Sequence, residues 1–222
     1  MMHGGNVQPD IDFAAVYRFL YGHYGPQGWW PADSPFEVML GAILTQNTAW
    51  RNVERAIQNL SQAGLLSATA ILTQPDADLA DMLRPSGYFN VKARRLKNLC
   101  RFIHQTGYRE TFAMPTETLR QHLLAVNGIG PETADDILLY AYDRPVFVID
   151  AYARRLFSRL GLVSGNEGYE ALRRLLETSL DATAAIYNEY HALIVAHAKA
   201  VCRSKPLCEA CILCSRCEYA KK

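Results

Sequence analysis

Apolar positions recur along this chain at helical spacing almost from end to end. Phe36, Met39, Leu40, Ile43 and Leu44 fall at i, i+3 and i+4 intervals. Just before them, Ser34-Pro35-Phe36-Glu37 offers a cap, a first-turn proline and a capping-box acid. Val53, Ala56, Ile57 and Leu60 mark the stripe of the next helix, which Gly64 stops. The pattern predicts further helices over 66–73, 76–84, 90–107, 116–126 (capped by Thr116), 131–142, 150–161, 167–179 and 183–201. One segment differs: Pro145-Val146-Phe147-Val148-Ile149 reads as a short strand or as a buried connection. No internal repeat or low-complexity linker interrupts the pattern. The fold class expected is all-α.

Composition adds limits. Half of the 222 residues are apolar and a fifth are charged, enough for a core that needs no disulfides. A net charge of +1 excludes a uniformly basic surface, so any nucleic-acid face must come from uneven placement. The placement is uneven. Arg84, Lys92, Arg94, Arg95, Lys97 and Arg101 form an acid-free run, and Arg154, Arg155 and Arg159 a second group. Either is a phosphate contact or a solvated helix face. No stretch approaches the roughly 18 apolar residues of a membrane span. Met1 to Asp10 lack the order of a signal peptide. These readings lead to a cytoplasmic chain with no membrane partner. Five of the six cysteines fall in the last 21 residues, which fits a metal site in a reducing compartment better than a disulfide framework. Cys100, at the end of a helical pattern, reads as core.

Two segments carry candidate chemistry. In Val126-Asn127-Gly128-Ile129-Gly130-Pro131-Glu132-Thr133-Ala134, the glycines permit a tight turn and Pro131 opens a helix. Backbone N–H groups at such a helix start bind phosphate without side-chain charge. A plain αα-hairpin has the same glycines. Asp150 follows four apolar residues, 20 positions after Gly130, where a helix begins. It suits an N-cap, a catalytic carboxylate, or both.

Gly-Ile-Gly-x-x-Thr-Ala followed by Val-Ile-Asp resembles the helix-hairpin-helix signature of the endonuclease III superfamily of DNA glycosylases. The resemblance runs from about Trp29 to Cys217. Leu44-Thr45-Gln46-Asn47-Thr48 is similar to the segment those enzymes push into the duplex, with Gln46 and Asn47 where the vacated base stack is filled. Arg84-Pro85-Ser86-Gly87-Tyr88 and Lys92-Ala93-Arg94-Arg95-Leu96 resemble the family's middle helices. The resemblance implies a helix-hairpin-helix fold of two lobes with a DNA cleft between them. One lobe would be a helical barrel over 36–143. The other would join 1–35 to 144–222 and end in a cluster loop, 202–217. It implies a monomer acting on double-stranded DNA that carries a damaged base. Gly128, Ile129, Gly130 and Thr133 would hold phosphate, and Asp150 would be the carboxylate beside the sugar.

Cys202, Cys208, Cys211 and Cys217 are spaced C-x5-C-x2-C-x5-C, with Cys214 between the last two. Four thiolates in one loop suit a [4Fe–4S] cluster and also structural zinc. The resemblance implies [4Fe–4S]. Family members usually have six residues in the first gap, so Cys214 is a candidate to replace a neighbour. Arg203, Lys205 and Arg216 in the loop are candidates for phosphate.

Glu132 is the informative departure. Superfamily members that also nick the strand carry lysine there, whose amine forms a Schiff base with the sugar. A carboxylate cannot, so the expectation is a monofunctional glycosylase with little or no lyase activity. Trp29-Trp30-Pro31, Leu-Thr-Gln-Asn-Thr, Arg-Pro-Ser-Gly-Tyr and Gly-Ile-Gly-x-Glu-x-Ala-Asp resemble the 3-methyladenine DNA glycosylase branch. That resemblance makes Trp50 the ring that stacks on the flipped base and Trp29, Trp30 and Pro31 a second wall. It makes Lys199 the active-site lysine that can be carbamylated, so Asp150, Glu132 and Lys199 form the catalytic candidates. An electron-rich aromatic sandwich favours a cationic alkylated purine. The cysteine loop is absent from that branch as usually found. Two other readings stay open: a glycosylase and lyase for oxidised pyrimidines with Lys199 as amine, and a damage-binding module without catalysis.

Overall fold

The computed structural model describes residues 11–221. Twelve α-helices follow in order among them: α1 (Phe13–Tyr24), α2 (Pro35–Leu44), α3 (Trp50–Gln62), α4 (Ala68–Thr73), α5 (Asp76–Met82), α6 (Phe89–Thr106), α7 (Tyr108–Ala113), α8 (Thr116–Ala125), α9 (Pro131–Asp136), α10 (Ala151–Leu160), α11 (Tyr169–Leu180) and α12 (Ala184–Ala200). The described residues contain no strand, so the fold is all-α. No helix among them is long and apolar enough to cross a membrane. Two compact units result. One is Trp30–Arg144; the other joins the chain up to Trp29 with the chain from Pro145 onward.

In the Trp30–Arg144 unit, α2 is the central rod. Every residue from Val38 to Leu44 is buried, so this helix is covered all round rather than on one stripe. Ser34 Oγ accepts from Glu37 N at 3.2 Å, and Glu37 Oε2 accepts from Asp33 N at 3.2 Å. The expected capping box thus forms with its return bond one residue early. At Gly41 a Cβ would stand 2.9 Å from the Trp30 ring, so the glycine lets that indole lie on the helix backbone. Helix α6 lies against α2, α4, α5 and α7. Its buried stripe is Lys92, Ala93, Leu96, Leu99, Cys100 and Ile103.

Helices α8 and α9 form the hairpin. Arg120 Nε and Nη2 grip the carboxylate of Asp135 at 2.7 and 3.1 Å, with both residues buried. The predicted cap Thr116 is instead the first residue of α8. Pro115 holds the cap position with extended backbone, and no side chain caps there. The helix predicted over 131–142 changes pitch: after α9 the chain widens into a π-turn, Ile137–Ala141, closed by Tyr142 N to Ile137 O at 3.3 Å.

In the other unit, α1, α10, α11 and α12 surround an aromatic core. Tyr190, fully buried, donates to Phe13 O at 2.8 Å, and Phe13 meets Phe157 edge-on with centroids 5.0 Å apart. Segment 145–149 is the buried connection and not a strand. The Phe147 N–H is satisfied by Glu177 Oε1 at 2.9 Å, a side chain doing what a neighbouring strand would do.

Candidate active site

The site is built first from the hairpin turn. Gly128 has φ +99, and a Cβ there would sit 2.3 Å from Arg95 Cγ, so only glycine fits beneath that side chain. Ile129 is buried and anchors the turn, while Gly130 is exposed and stands at the N-cap of α9. The Gly130 cap position offers no side-chain cap bond to α9. Glu132 is exposed on the first turn, and Thr133 is buried behind it.

Segment 45–49 is tied to this turn. Gln46 Nε2 donates to Thr133 Oγ1 at 2.9 Å and to Gly128 O at 3.2 Å, and Arg95 Nη1 donates to Gln46 Oε1. Asn47 is exposed, with the left-handed φ of 53°. The two neighbours are thus unlike: Gln46 is braced from three sides and Asn47 is presented at the tip. A residue that sequence reasoning did not single out supports this segment. Lys92 is buried and donates to Leu44 O at 2.8 Å, Ser86 O at 2.7 Å and Thr48 Oγ1 at 2.5 Å. Burial, helped by the nearby Arg95 charge, pulls its amine down to about 8. Its place on the buried stripe of α6 was the available signal.

Three aromatics gather in the same unit. Trp30 meets Trp50 edge-on with centroids 5.1 Å apart, and Tyr140 lies 5.1 Å from Trp30 on its own side. Trp50 Nε1 donates to Glu54 Oε1 at 2.9 Å, and Pro31 is exposed.

In the second unit, Asp150 caps α10: its Oδ1 accepts from Ala153 N at 2.7 Å. Its other oxygen lies 3.5 Å from Nε2 of His191, a buried residue of α12. The Asp150 side chain keeps 14% of its surface exposed. His191 is 41 positions downstream on another helix and gave no signal in the sequence. Lys199, exposed on the last turn of α12, places Nζ 6.0 Å from the Trp29 ring centroid.

The cysteine loop follows α12. Cys202, Cys208, Cys211, Cys214 and Cys217 all line one hollow, with Arg159, Val201, Pro206, Tyr219 and Ala220. Among the described residues no three His, Cys, Asp or Glu side chains are grouped to hold a single metal ion. Burial pushes the Cys211 thiol above its ordinary range; an N–H bond from Leu213 opposes this, and the thiols of Cys202, Cys217 and Cys214 add to it. His197 Nε2 stands 3.6 Å from Cys211 Sγ, and its Nδ1 is 3.0 Å from the Tyr24 hydroxyl.

The basic groups have structural duties. Arg159 Nη1 donates to Cys202 Sγ at 3.3 Å and Arg203 O at 2.6 Å, and its Nη2 donates to Ser204 O at 3.0 Å. Arg155 donates to Cys202 O at 2.9 Å and Arg154 to Glu167 O at 2.6 Å. Lys97 is paired with Asp76, and Arg84 with Asp81 at 2.8 Å. Of the loop cations, Arg216 lies over the Phe19 ring, while Arg203 and Lys205 are exposed.

Residues 40–182 match the sequence pattern of the HhH-GPD superfamily of base excision DNA repair proteins. A Methanocaldococcus jannaschii protein named as a candidate DNA repair glycosylase is 49% identical over 188 residues, covering 83% of this chain and 86% of that one. The crystal structure of a Helicobacter pylori 3-methyladenine DNA glycosylase bound to 1,N6-ethenoadenine is 30% identical, with a TM-score of 0.73 over 84% of this chain and 94% of that one. A non-covalent endonuclease III–DNA complex shares the fold, with a TM-score of 0.80 at 19% identity, over 93% and 94% of the two chains. The chain belongs to the HhH-GPD superfamily of base excision DNA repair glycosylases.

Proposed function

We propose that this glycosylase excises a damaged base, foremost an alkylated purine such as 3-methyladenine, from double-stranded DNA, using water and no covalent enzyme intermediate. The observation that carries this is Asp150: a carboxylate fixed at a helix N-terminus, with one oxygen on Ala153 N and the other facing His191. Cleaving an N-glycosidic bond builds positive charge on the sugar, which such a carboxylate stabilises while it orients water. The cap bond from Ala153 N already fixes the orientation of Asp150.

An alkylated purine is cationic and leaves readily, so the site needs little acid. Trp29 with Lys199 and the Trp30, Trp50, Tyr140 group with Pro31 are the aromatic surfaces offered to such a base. The 30% identity to a 3-methyladenine glycosylase that holds a modified adenine favours this class of lesion. Glu132 is exposed on the first turn of α9, and a carboxylate cannot form the Schiff base that strand nicking needs. Gly128, Ile129 and Gly130 would hold a backbone phosphate through N–H groups, Thr133 fixes Gln46, and Asn47 is presented to the duplex.

For the cysteine loop the proposal is a [4Fe–4S] cluster held by Cys202, Cys208, Cys211 and Cys217. The donors fit: thiols ring one hollow without converging as closely as one ion requires, and Arg159 and His197 stand at sulfur. When bound, a cluster supplies a rigid, covalent tie for the loop and a redox-capable centre. The chain's own residues contribute the clasp, since Arg159 gathers carbonyls of Cys202, Arg203 and Ser204.

Single-turnover base release from methylated duplex DNA tests the reading, with borohydride trapping beside it. Release without a trapped covalent adduct supports it; a trapped adduct would overturn it in favour of the lyase reading, in which Lys199 is the candidate amine.

A further inference from the structure

The C-terminal loop holds one thiol more than a four-cornered cluster takes. The backbone treats that extra residue, Cys214, as the equal of its neighbours. Cys208, Cys211, Cys214 and Cys217 recur every three residues, and each N–H after the first bonds the carbonyl of the cysteine before it. Cys211 N reaches Cys208 O at 3.0 Å, Cys214 N reaches Cys211 O at 3.0 Å, and Cys217 N reaches Cys214 O at 3.1 Å. Two of these turns are short 3-10 helices, Cys208–Ala210 and Cys214–Arg216. Residues three apart in such turns lie on the same side. All four thiols accordingly face the hollow that Cys202 also lines.

Cys202 arrives by a different route, from the end of α12. Arg159 holds both its sulfur, at 3.3 Å, and its carbonyl, at 3.4 Å. A run of three cysteines at two-residue gaps, with a fourth from elsewhere in the chain, is one of the known ways to hold a [4Fe–4S] cluster. Cys208, Cys211 and Cys214 with Cys202 reproduce that arrangement without Cys217. Cys217 also has a resting place as a thiol: its Sγ donates to Arg159 O at 3.2 Å.

We propose that Cys214 is a reserve cluster ligand that takes the corner of Cys217. The proposal rests on the cluster reading given above. In the exchange the Cys214 thiol gives its proton to solvent and binds the iron. The Cys217 thiolate leaves that iron, takes up a proton and bonds Arg159 O. No electron is transferred.

The test uses the full chain, reconstituted anaerobically with iron and sulfide. Iron and sulfide per chain are measured for wild type, Cys214→Ala, Cys217→Ala and the double variant. Both single variants are expected to keep the cluster and the double variant to lose it. Alkylation of the loaded proteins, mapped by mass spectrometry, gives an independent readout. Cys214 is labelled in loaded wild type and protected in loaded Cys217→Ala, while buried Cys100 stays protected in both. An empty Cys217→Ala chain, folded or not, overturns the proposal, as does Cys214 that remains labelled in loaded Cys217→Ala. A wild type that takes up no iron overturns the cluster reading itself, and this proposal with it.

Discussion

The carboxamide of Gln46 is held by the hairpin it faces: its Nε2 donates to Thr133 Oγ1 at 2.9 Å. A second bond to Gly128 O and the donation from Arg95 make this side chain a strut between segment 45–49 and the hairpin turn. Gln46→Ala removes the strut and leaves the Asn47 tip unbraced. Each lost hydrogen bond is worth about 0.5–1.5 kcal/mol. We expect weaker binding to a duplex with an abasic site, by about 10-fold, at fixed salt and with an unchanged salt slope. Fluorescence anisotropy reads both quantities. Unchanged affinity would contradict the role.

Lys92 gives the same segment its second support, from beneath. Lys92→Met leaves the Leu44 carbonyl without this donor, at a cost of about 1–3 kcal/mol, while Ser86 O keeps its bond from the Thr48 hydroxyl. Its titration adds a pH signature. Burial lowers the folded amine to about 8 from its ordinary 10.5, so between those values the unfolded chain binds more protons than the native one. Stability contributed by this group therefore rises with pH across that window and is flat below it. Urea unfolding across that pH range should show the rise in wild type and its loss in Lys92→Met.

The hairpin itself depends on a buried ion pair. Arg120→Met removes the guanidinium that grips the fully buried Asp135 carboxylate and should cost about 3–5 kcal/mol. Replacing both residues by apolar side chains should recover much of that loss. Thermal melts of the single and double variants test this. Equal destabilisation in the two would contradict it.

Asp150 caps α10, and one substitution separates that cap from the catalytic role proposed for it. Asn caps a helix about as well as Asp, so Asp150→Asn should change stability by less than about 1 kcal/mol. Loss of the carboxylate charge should lower base excision by about 100-fold or more. A chemical melt and a single-turnover assay on the same preparation check both. A variant as active as wild type would leave Asp150 a cap only.

Much of the fold was legible in the sequence because its helices carry stripes at helical period. Ser34, Pro35 and Glu37 announced α2, and the apolar runs announced α3 and α6. The short α7 escaped because Tyr108-Arg109-Glu110-Thr111-Phe112-Ala113 offers no apolar stripe at helical spacing. Segment 145–149 read equally as a short strand or a buried connection because its apolar run is unbroken; Glu177 satisfies the Phe147 N–H, and nothing local foretells that. The turn at Gly128 and the cap at Asp150 were visible as motifs. Their supports were not: Lys92 read as one more cation in a basic run, and His191 reaches Asp150 only through the packing of α12 beside α10. Most cations of both basic groups bond carbonyls or acids, a choice made by tertiary structure and not by charge pattern.

The most direct measurement is chromatographic analysis of the bases released from methylated duplex DNA by wild type and by Asp150→Asn. Free 3-methyladenine from wild type, with its near-complete loss in Asp150→Asn, is the predicted result. No release by wild type, or equal release by both proteins, would contradict water-mediated excision of alkylated purines centred on Asp150.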